Sequence, residues 1–327
     1  MKCKMKSILS VLALFCCVSM TACGGANTST APATSPTPAT QPPAPEENTP
    51  DGEPADDNSW EKVQKKGEFI MGLDSDFPPL GFTDDSGKIV GFEVDLADEI
   101  CKRLNISLVT HEIVWEEKED DLSLGTIDCI WSGMSVTPER ERTMCLSEPY
   151  MGNNIVFIVP ADSEIHSVAD VGGKTIGAQD GSTSEELLEK EYNSKVYITP
   201  LADNNELFRQ LKLGLLDGVC VDSVVANYWN SNNGGNYTVL NATEDSEKYA
   251  IGFRKADVSL RNKIQETMDS MIADGTFTGI SMKWFGTDVY ARMNETADNS
   301  GIEGESLGSE EADPSEDNTG DDEITEE

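Results

Sequence analysis

At 327 residues the chain is long enough for two domains, and its 60 acidic against 24 basic residues leave a formal net charge of −36. That balance argues against nucleic acid as a partner, because phosphate binding needs a basic face. It also argues against adhesion to an anionic membrane through the protein surface. With only His111 and His166 in the chain, a His-rich metal site is not expected, and no cofactor is implied.

The first residues read as a secretory signal. Lys2, Lys4 and Lys6 form a positive start, Ile8 to Val18 a short apolar run, and small residues follow in "SMTAC". The run is too short to span a bilayer as an ordinary helix. "MTAC" followed by Gly24 and Gly25 resembles the bacterial lipobox, which implies a signal peptide over 1–22 and lipidation of Cys23 as the mature N-terminus. Met20 departs from that pattern, which usually has Leu there. Residues 23–59 are rich in Ala, Thr, Pro and Ser and then acidic, with no apolar period. Such a segment is extended and semi-rigid, and serves as a tether between lipid and folded domain. Cys3, Cys16 and Cys17 leave with the signal. Cys101, Cys129, Cys145 and Cys220 remain, without a CxxC or Cys/His pair, and read as buried free thiols with one disulfide left open.

From Trp60 to about Tyr290, short apolar runs alternate with helical patterns. "FIMGL" reads as a buried strand. "FEVDLADEICKRL" places Val94, Ala97, Cys101 and Leu104 near one helical face. "IDCIW", "NIVFIVP", "KTIGA", "KVYITP", "DGVCVD" and "YAIGFR" read as strands. "TSEELLEKEY", "NELFRQLKLG", "SVVANYW" and "LRNKIQETMDSMIADG" read as helices. This alternation predicts an α/β protein with mostly parallel sheets. Pro149 with the polar "MGNN" predicts a break near 150, and "SNNGGNYTVLNATEDSEK" a second near 240. Two breaks around one α/β segment predict a discontinuous first lobe (60–150 plus 245–290), a second lobe inserted in it (151–244), and a ligand cleft between them. Residues 291–327, with almost no large apolar side chain, read as a disordered acidic tail.

Several stretches carry a family resemblance. "GLDSDFPPLGFTDDSGKIVGFEVDLADEICKRL" and "IDCIWSGMSVTPERERTMCLSEPY" resemble the signatures of bacterial extracellular solute-binding proteins of family 3, the receptors of polar amino-acid ABC transporters. "GGKTIGAQDGSTSEELLE" and "GLLDGVCVDSVVANYW" resemble the second lobe, and "SLRNKIQETMDSMIADGTFTGISMKWFG" the closing helices of the first. The resemblance covers almost all of 60–286. It implies a two-lobed periplasmic-binding-protein fold (type II) with two hinge crossings, and no catalysis.

It also implies the site. The guanidinium of Arg140 offers a planar fork that matches an α-carboxylate. The turn Ser132, Gly133, Met134 and Ser135 lies along the ligand, its backbone close because Gly133 has no Cβ. Ser182 or Thr183 caps a helix start, where free N–H groups favour an anion, and Thr183 and Ser184 match positions that close on the carboxylate. Asp222 and Asp74 match the acids that face the ammonium. Phe77 and Trp115 match the aromatic walls, and Gln179 a position that reaches the ligand side chain. One departure is "WEEKEDDLSLG": Lys118, Glu119, Asp120 and Asp121 stand where many members have an apolar helix start, either facing solvent or flanking the pocket mouth.

The expected protein is a lipid-anchored receptor on the extracellular face of the cell membrane, or in the periplasm of a Gram-negative organism. It binds a free amino acid, polar or cationic, and delivers it to the permease subunits of an ABC importer, acting as a monomer without nucleic acid. Two rivals are a cyclohexadienyl- or arogenate-dehydratase-like enzyme on the same fold and a sensor component. The first needs a further acid poised at a leaving group, and no such acid can be placed. The second needs a transmembrane helix and signalling domain, or a separate partner.

Overall fold

The computed structural model describes residues 57–299, all within one unit, Asp51–Glu327. The predicted signal peptide, Cys23, nearly all of the linker and the chain from 300 onward lie outside the described residues. The described chain opens with α1 (Ser59–Lys66) and β1 (Glu68–Leu73), then a small antiparallel flap of β2 (Asp76–Phe77), β3 (Gly81–Thr83) and β4 (Ile89–Val90). It continues through α2 (Phe92–Leu104), β5 (Ser107–Glu112), α3 (Lys118–Leu124), β6 (Cys129–Ile130), α4 (Pro138–Thr143) and β7 (Met144–Leu146). A second set follows: β8 (Met151–Pro160), β9 (Thr175–Gln179), α5 (Thr183–Leu187), β10 (Tyr197–Leu201), α6 (Asn204–Lys212), β11 (Gly218–Asp222), α7 (Ser223–Asn232) and β12 (Tyr237–Tyr249). The chain ends in β13 (Gly252–Arg254), α8 (Val258–Ala273), α9 (Thr276–Phe285) and α10 (Val289–Asn299).

Two five-stranded sheets result, in the orders β5-β1-β6-β13-β7 and β10-β9-β11-β8-β12. In each, three strands run parallel (β5, β1, β6; β10, β9, β11); the next (β13; β8) runs against them and pairs antiparallel with the edge strand (β7; β12). The chain therefore crosses between sheets twice, from β7 to β8 past Pro149 and Tyr150, and back at Ala250–Ile251. The crossings touch, with the Tyr150 N–H donating to the Tyr249 carbonyl at 3.0 Å. No helix among the described residues is long and apolar enough to cross a membrane.

The sequence explains the elements. In α2, Phe92, Leu96, Ala97, Ile100 and Cys101 are buried on one face, the i, i+4, i+8 spacing of an amphipathic helix. Asn105, at φ 54°, ends it in the left-handed region. All five residues of β11 are buried, which suits an apolar run in the parallel part of a sheet covered on both faces. Cys101, Cys129 and Cys220 are buried free thiols, and Cys145 is a half-buried one.

Three expectations are corrected. The polar stretch read as a break near 240 is strand β12, which pairs along β8 with a bulge between Asn241 and Ser246. An edge strand satisfies its backbone through one neighbour and leaves polar side chains to solvent, so the stretch lacks an apolar period. The return crossing consequently falls at 250 rather than 245. "YAIGFR" is not one strand, because the hinge divides it between β12 and β13. Residues 291–299, read as the start of the tail, are helical in α10. Val289 and Met293 are buried there, one turn apart, and the Tyr290 ring lies 5.8 Å from that of Phe277, enough apolar contact to hold a short helix against the domain.

Candidate functional site

Both sheets direct the carboxyl ends of their parallel strands at one cleft. Asp74 follows β1, Trp115 lies just past β5 and Ser132 just past β6. Gln179 and Asp222 are the last residues of β9 and β11. Loops at such strand ends are the usual ligand position in α/β sheets. The cleft encloses a small cavity of about 20 Å³. From the first lobe it is lined by Phe77, Trp115, Ser132, Gly133, Ser135 and Arg140, and from the second by Gln179, Ser182, Thr183 and Asp222. A larger outward depression between α4 and α8, about 560 Å³, shares none of these residues. It lacks their convergence of opposed polar groups.

Local chemistry places Arg140. Thr137 caps α4, its hydroxyl accepting from the Arg140 N–H at 3.2 Å, and Pro138 occupies the first helical position. Helical side chains lean back toward the N-terminus. The guanidinium therefore folds over the preceding turn, where Nη1 donates to the Ser135 carbonyl at 2.8 Å. Arg140 is 6% exposed, and its centre lies 5.9 Å from the Trp115 ring. No carboxylate sits within ion-pair distance of it among the described residues. Burial lowers its pKa, against the pull of Glu119, Glu186, Glu247 and Asp222 further off. A desolvated guanidinium with free donors facing a cavity is a receptor for a planar anion.

Gly133 shapes the turn beside it. Its φ is +53°, and a Cβ there would lie 2.5 Å from Cε1 of Phe77, so the glycine lets the aromatic wall close on the turn. The Gly133 N–H donates at 2.9 Å to Oε1 of Glu93, a fully buried acid that also accepts from the Tyr150 hydroxyl at the first crossing. Burial pushes Glu93 up to about 7.

Asp222 stands at the opposite end, joined to the second crossing. Its Oδ1 accepts from the Tyr249 hydroxyl at 2.6 Å and from Nδ2 of Asn153 at 2.5 Å. Glu247 accepts from Asn153 at 3.1 Å and from the Ser135 hydroxyl at 2.9 Å. Burial, then the nearby Glu247 charge, pushes Asp222 up to about 7, against the hydrogen bonds from Tyr249 and Asn153. A carboxylate that lines the cavity, backed by a second one through Asn153 and with no cation beside it, can accept an ammonium group.

The lobes meet along both rims of this cavity. On one, Gln179 Nε2 donates to Asp74 Oδ2 at 2.6 Å, and Asn205 Nδ2 to Asp76 Oδ1. Burial and then the charges of Asp74, Asp203 and Glu112 push Asp76 up to about 6, and burial raises Asp74 as well. On the other, Lys118 Nζ reaches the Gly181 carbonyl at 3.3 Å. The Phe82 and Tyr228 rings also face each other across the cleft, 5.8 Å apart.

Nine of the residues singled out in the sequence line the cavity: Phe77, Trp115, Ser132, Gly133, Ser135, Arg140, Gln179, Thr183 and Asp222. Asp74 does not, because its carboxylate is turned to Gln179 and to the Asp76 N–H at 2.9 Å. Neither does the Met134 side chain, which is fully buried in the apolar cluster with Ile130 and Met144; only its neighbours on the turn face the opening. Ser184 is buried one position beyond. Ser182 both caps α5, accepting from the Glu185 N–H at 3.2 Å, and lines the cavity. Of the four charged residues in the departing stretch, Lys118 is buried while Glu119 and Asp120 are exposed. Sequence reasoning missed Glu93, Glu247 and the two hinge tyrosines.

Comparison with known proteins gives one consistent result. Residues 69–287 match the profile of the bacterial extracellular solute-binding proteins, family 3. The L-cystine-binding protein TcyJ of Escherichia coli K12 is 27% identical over 237 residues, 72% of this chain and 89% of that protein. The arginine-binding extracellular protein ArtP of Bacillus subtilis 168 is 30% identical, over 70% of this chain and 89% of its own. Among solved structures, an ABC uptake transporter substrate-binding protein from Streptococcus pneumoniae with bound histidine superposes with a TM-score of 0.70 at 36% identity. That match covers 72% of this chain and 99% of the other. These relatives are two-lobed binding proteins of type II fold, and they are substrate binders rather than enzymes.

Proposed function

Because the chain belongs to family 3 of the bacterial extracellular solute-binding proteins, we propose that it is a lipid-anchored receptor that closes on a free amino acid and hands it to the permease of an ABC importer. The observation that carries this reading is the opposition of Arg140 to Asp222 across a closed cleft. One end offers a buried fork without a carboxylate, and the other offers the buried carboxylate of Asp222 without a cation. A zwitterion satisfies both. Phe77 and Trp115 flank its side chain, and Ser132, Ser135, Ser182 and Thr183 supply hydroxyls around its charged groups. The side chain is polar or cationic. Support comes from the rim, where burial and then the charges of Asp74, Asp203 and Glu112 hold Asp76 at about 6, and a nearby cation offsets both.

A thermal-shift screen of the twenty amino acids tests the reading. A ligand at a hundred times its Kd adds about 2.7 kcal/mol to the folded state, which for a domain of this size is a rise in Tm of roughly 5–10 °C. If none of the twenty shifts the transition, the receptor reading fails.

The anchor is proposed from Cys23. A Cys23→Ser protein is expected to leave the membrane fraction on expression in a bacterial host, with its folded domain unchanged, because stable anchoring needs more than one acyl chain and the serine accepts none. Retention of this variant in membranes contradicts the anchor. We infer a monomer from the same reading, since one cleft with both halves in one chain is complete.

A further inference from the structure

Lys118 belongs to the charged stretch that departs from its family, and the site as described does not use it. Its side chain is 4% exposed. The ammonium donates to the Trp115 carbonyl at 3.0 Å within the first lobe and to the Gly181 carbonyl at 3.3 Å in the second. It lies 3.3 Å from Glu119 Oε2 and 4.8 Å from the Trp115 ring. Two carbonyls and a carboxylate thus occupy the ammonium, and Lys118 is not among the residues that line the cavity.

Both carbonyls belong to the site. Trp115 is a wall of the cavity, and Gly181 immediately precedes Ser182 and Thr183, the second lobe's contribution to the carboxylate end. Gly181 itself sits tight against the first lobe. Its φ is +68°, and a Cβ there would lie 3.2 Å from the Glu116 Cα and 3.7 Å from Lys118 Nζ.

We propose that Lys118 is a positioning residue, a latch that pins the Gly181–Thr183 turn to the Trp115 wall when the lobes close and so sets the residence time of a ligand it does not touch. A charged donor shared between carbonyls of two lobes forms when the lobes close, and a two-lobed protein samples that closure without ligand in its own equilibrium. Breaking it on opening removes a charge-assisted hydrogen bond from a water-poor seam. The latch rests on the closing-cleft reading above, but one arm of its test needs no ligand.

The variant is Lys118→Met, which keeps the length and apolar stem without the donor. With an amino acid identified by thermal shift, stopped-flow kinetics on the full chain should show dissociation faster by about tenfold or more. Association should change little, and the factor should be the same for every amino acid that binds. Hydrogen exchange of the unliganded full chain should show faster exchange over residues 180–183, while β1 and β11 and the ligand-free Tm stay as in the wild type. Three results overturn the latch: unchanged dissociation, a loss confined to one class of ligand, or a fall in the ligand-free Tm that accompanies the loss. If the wild type binds no amino acid at all, the receptor reading has failed. The exchange arm then decides the latch alone, and unchanged exchange at 180–183 overturns it.

Discussion

Arg140→Ala is expected to weaken amino-acid binding by at least about tenfold, and by up to about a thousandfold, while the ligand-free protein stays as stable as the wild type. Truncating one partner of a buried, hydrogen-bonded charge pair costs roughly 2–5 kcal/mol, and each ~1.4 kcal/mol is tenfold in affinity. The loss falls on the complex because the guanidinium has no ion-pair partner among the described residues of the empty protein; what it holds is the Ser135 carbonyl, at 2.8 Å. Removing a buried charge that lacks a counter-charge costs the empty fold little and can relieve it. A residue that merely anchored α4 would behave oppositely, with the Tm falling before any ligand is added. Arg140→Lys keeps the charge but loses the fork, and is expected to bind clearly worse than wild type. Isothermal calorimetry with the ligand found by thermal shift, alongside circular dichroism, measures all of this. A folded Arg140→Ala protein with wild-type affinity would remove Arg140 from the site.

Arg140 could be singled out because the motif that carries the family resemblance, "IDCIWSGMSVTPERERTMCLSEPY", is contiguous. The structure shows that what places it is local too, with Thr137 as cap, Pro138 at the first helical position and the Ser135 carbonyl as partner. The same holds for α2, whose apolar period is written in thirteen consecutive residues. What escaped depends on pairs far apart in the chain. Glu93 meets Tyr150 across 57 positions, and Asn153 meets Glu247 across 94. An acid in the first turn of an amphipathic helix reads as a solvated residue favoured by the helix dipole. Only the fold shows that Glu93 is buried and tied to both the ligand turn and the hinge. For Lys118 the sequence left two alternatives, solvent or the pocket mouth, and only the fold shows it buried where the lobes meet. The β12 stretch failed for a third reason. Its apolar residues are interrupted by polar ones facing solvent, and the pairing that fixes it comes from β8, with Tyr237 against Pro160 and Tyr249 against Met151. These misses fall at the crossings, the seam and a sheet edge, where the deciding partner lies far off in the chain and local propensity is silent.

Binding is expected to release a proton and to weaken as pH falls below about 7. In the empty site burial and the Glu247 charge hold Asp222 at about 7 instead of its ordinary 3.8, so in mildly acidic solution the carboxyl keeps its proton. An ammonium ligand favours the carboxylate and pulls that pKa down. The ligand must then expel a proton, and the affinity carries its cost, up to about tenfold per pH unit for one proton. From pH 7 to pH 5 the affinity should therefore fall by up to about a hundredfold, for a ligand whose own groups do not titrate in that window. Ligand-free stability should respond with the opposite sign. A carboxyl whose folded pKa is raised binds more protons folded than unfolded between about 4 and 7. Its contribution to stability is therefore lost as pH rises through that range, and Glu93, also held at about 7, adds in the same direction. The two trends separate the acids, since Glu93 lines no part of the cavity and should affect stability alone. Asp222→Asn is expected to bind more weakly at pH 7 and to lose most of the pH dependence of affinity while keeping the Glu93 part of the stability trend. Calorimetry in buffers of different ionisation enthalpy counts the protons released. An affinity that is flat from pH 5 to pH 7, with a binding enthalpy independent of buffer, would mean that Asp222 does not receive the ammonium.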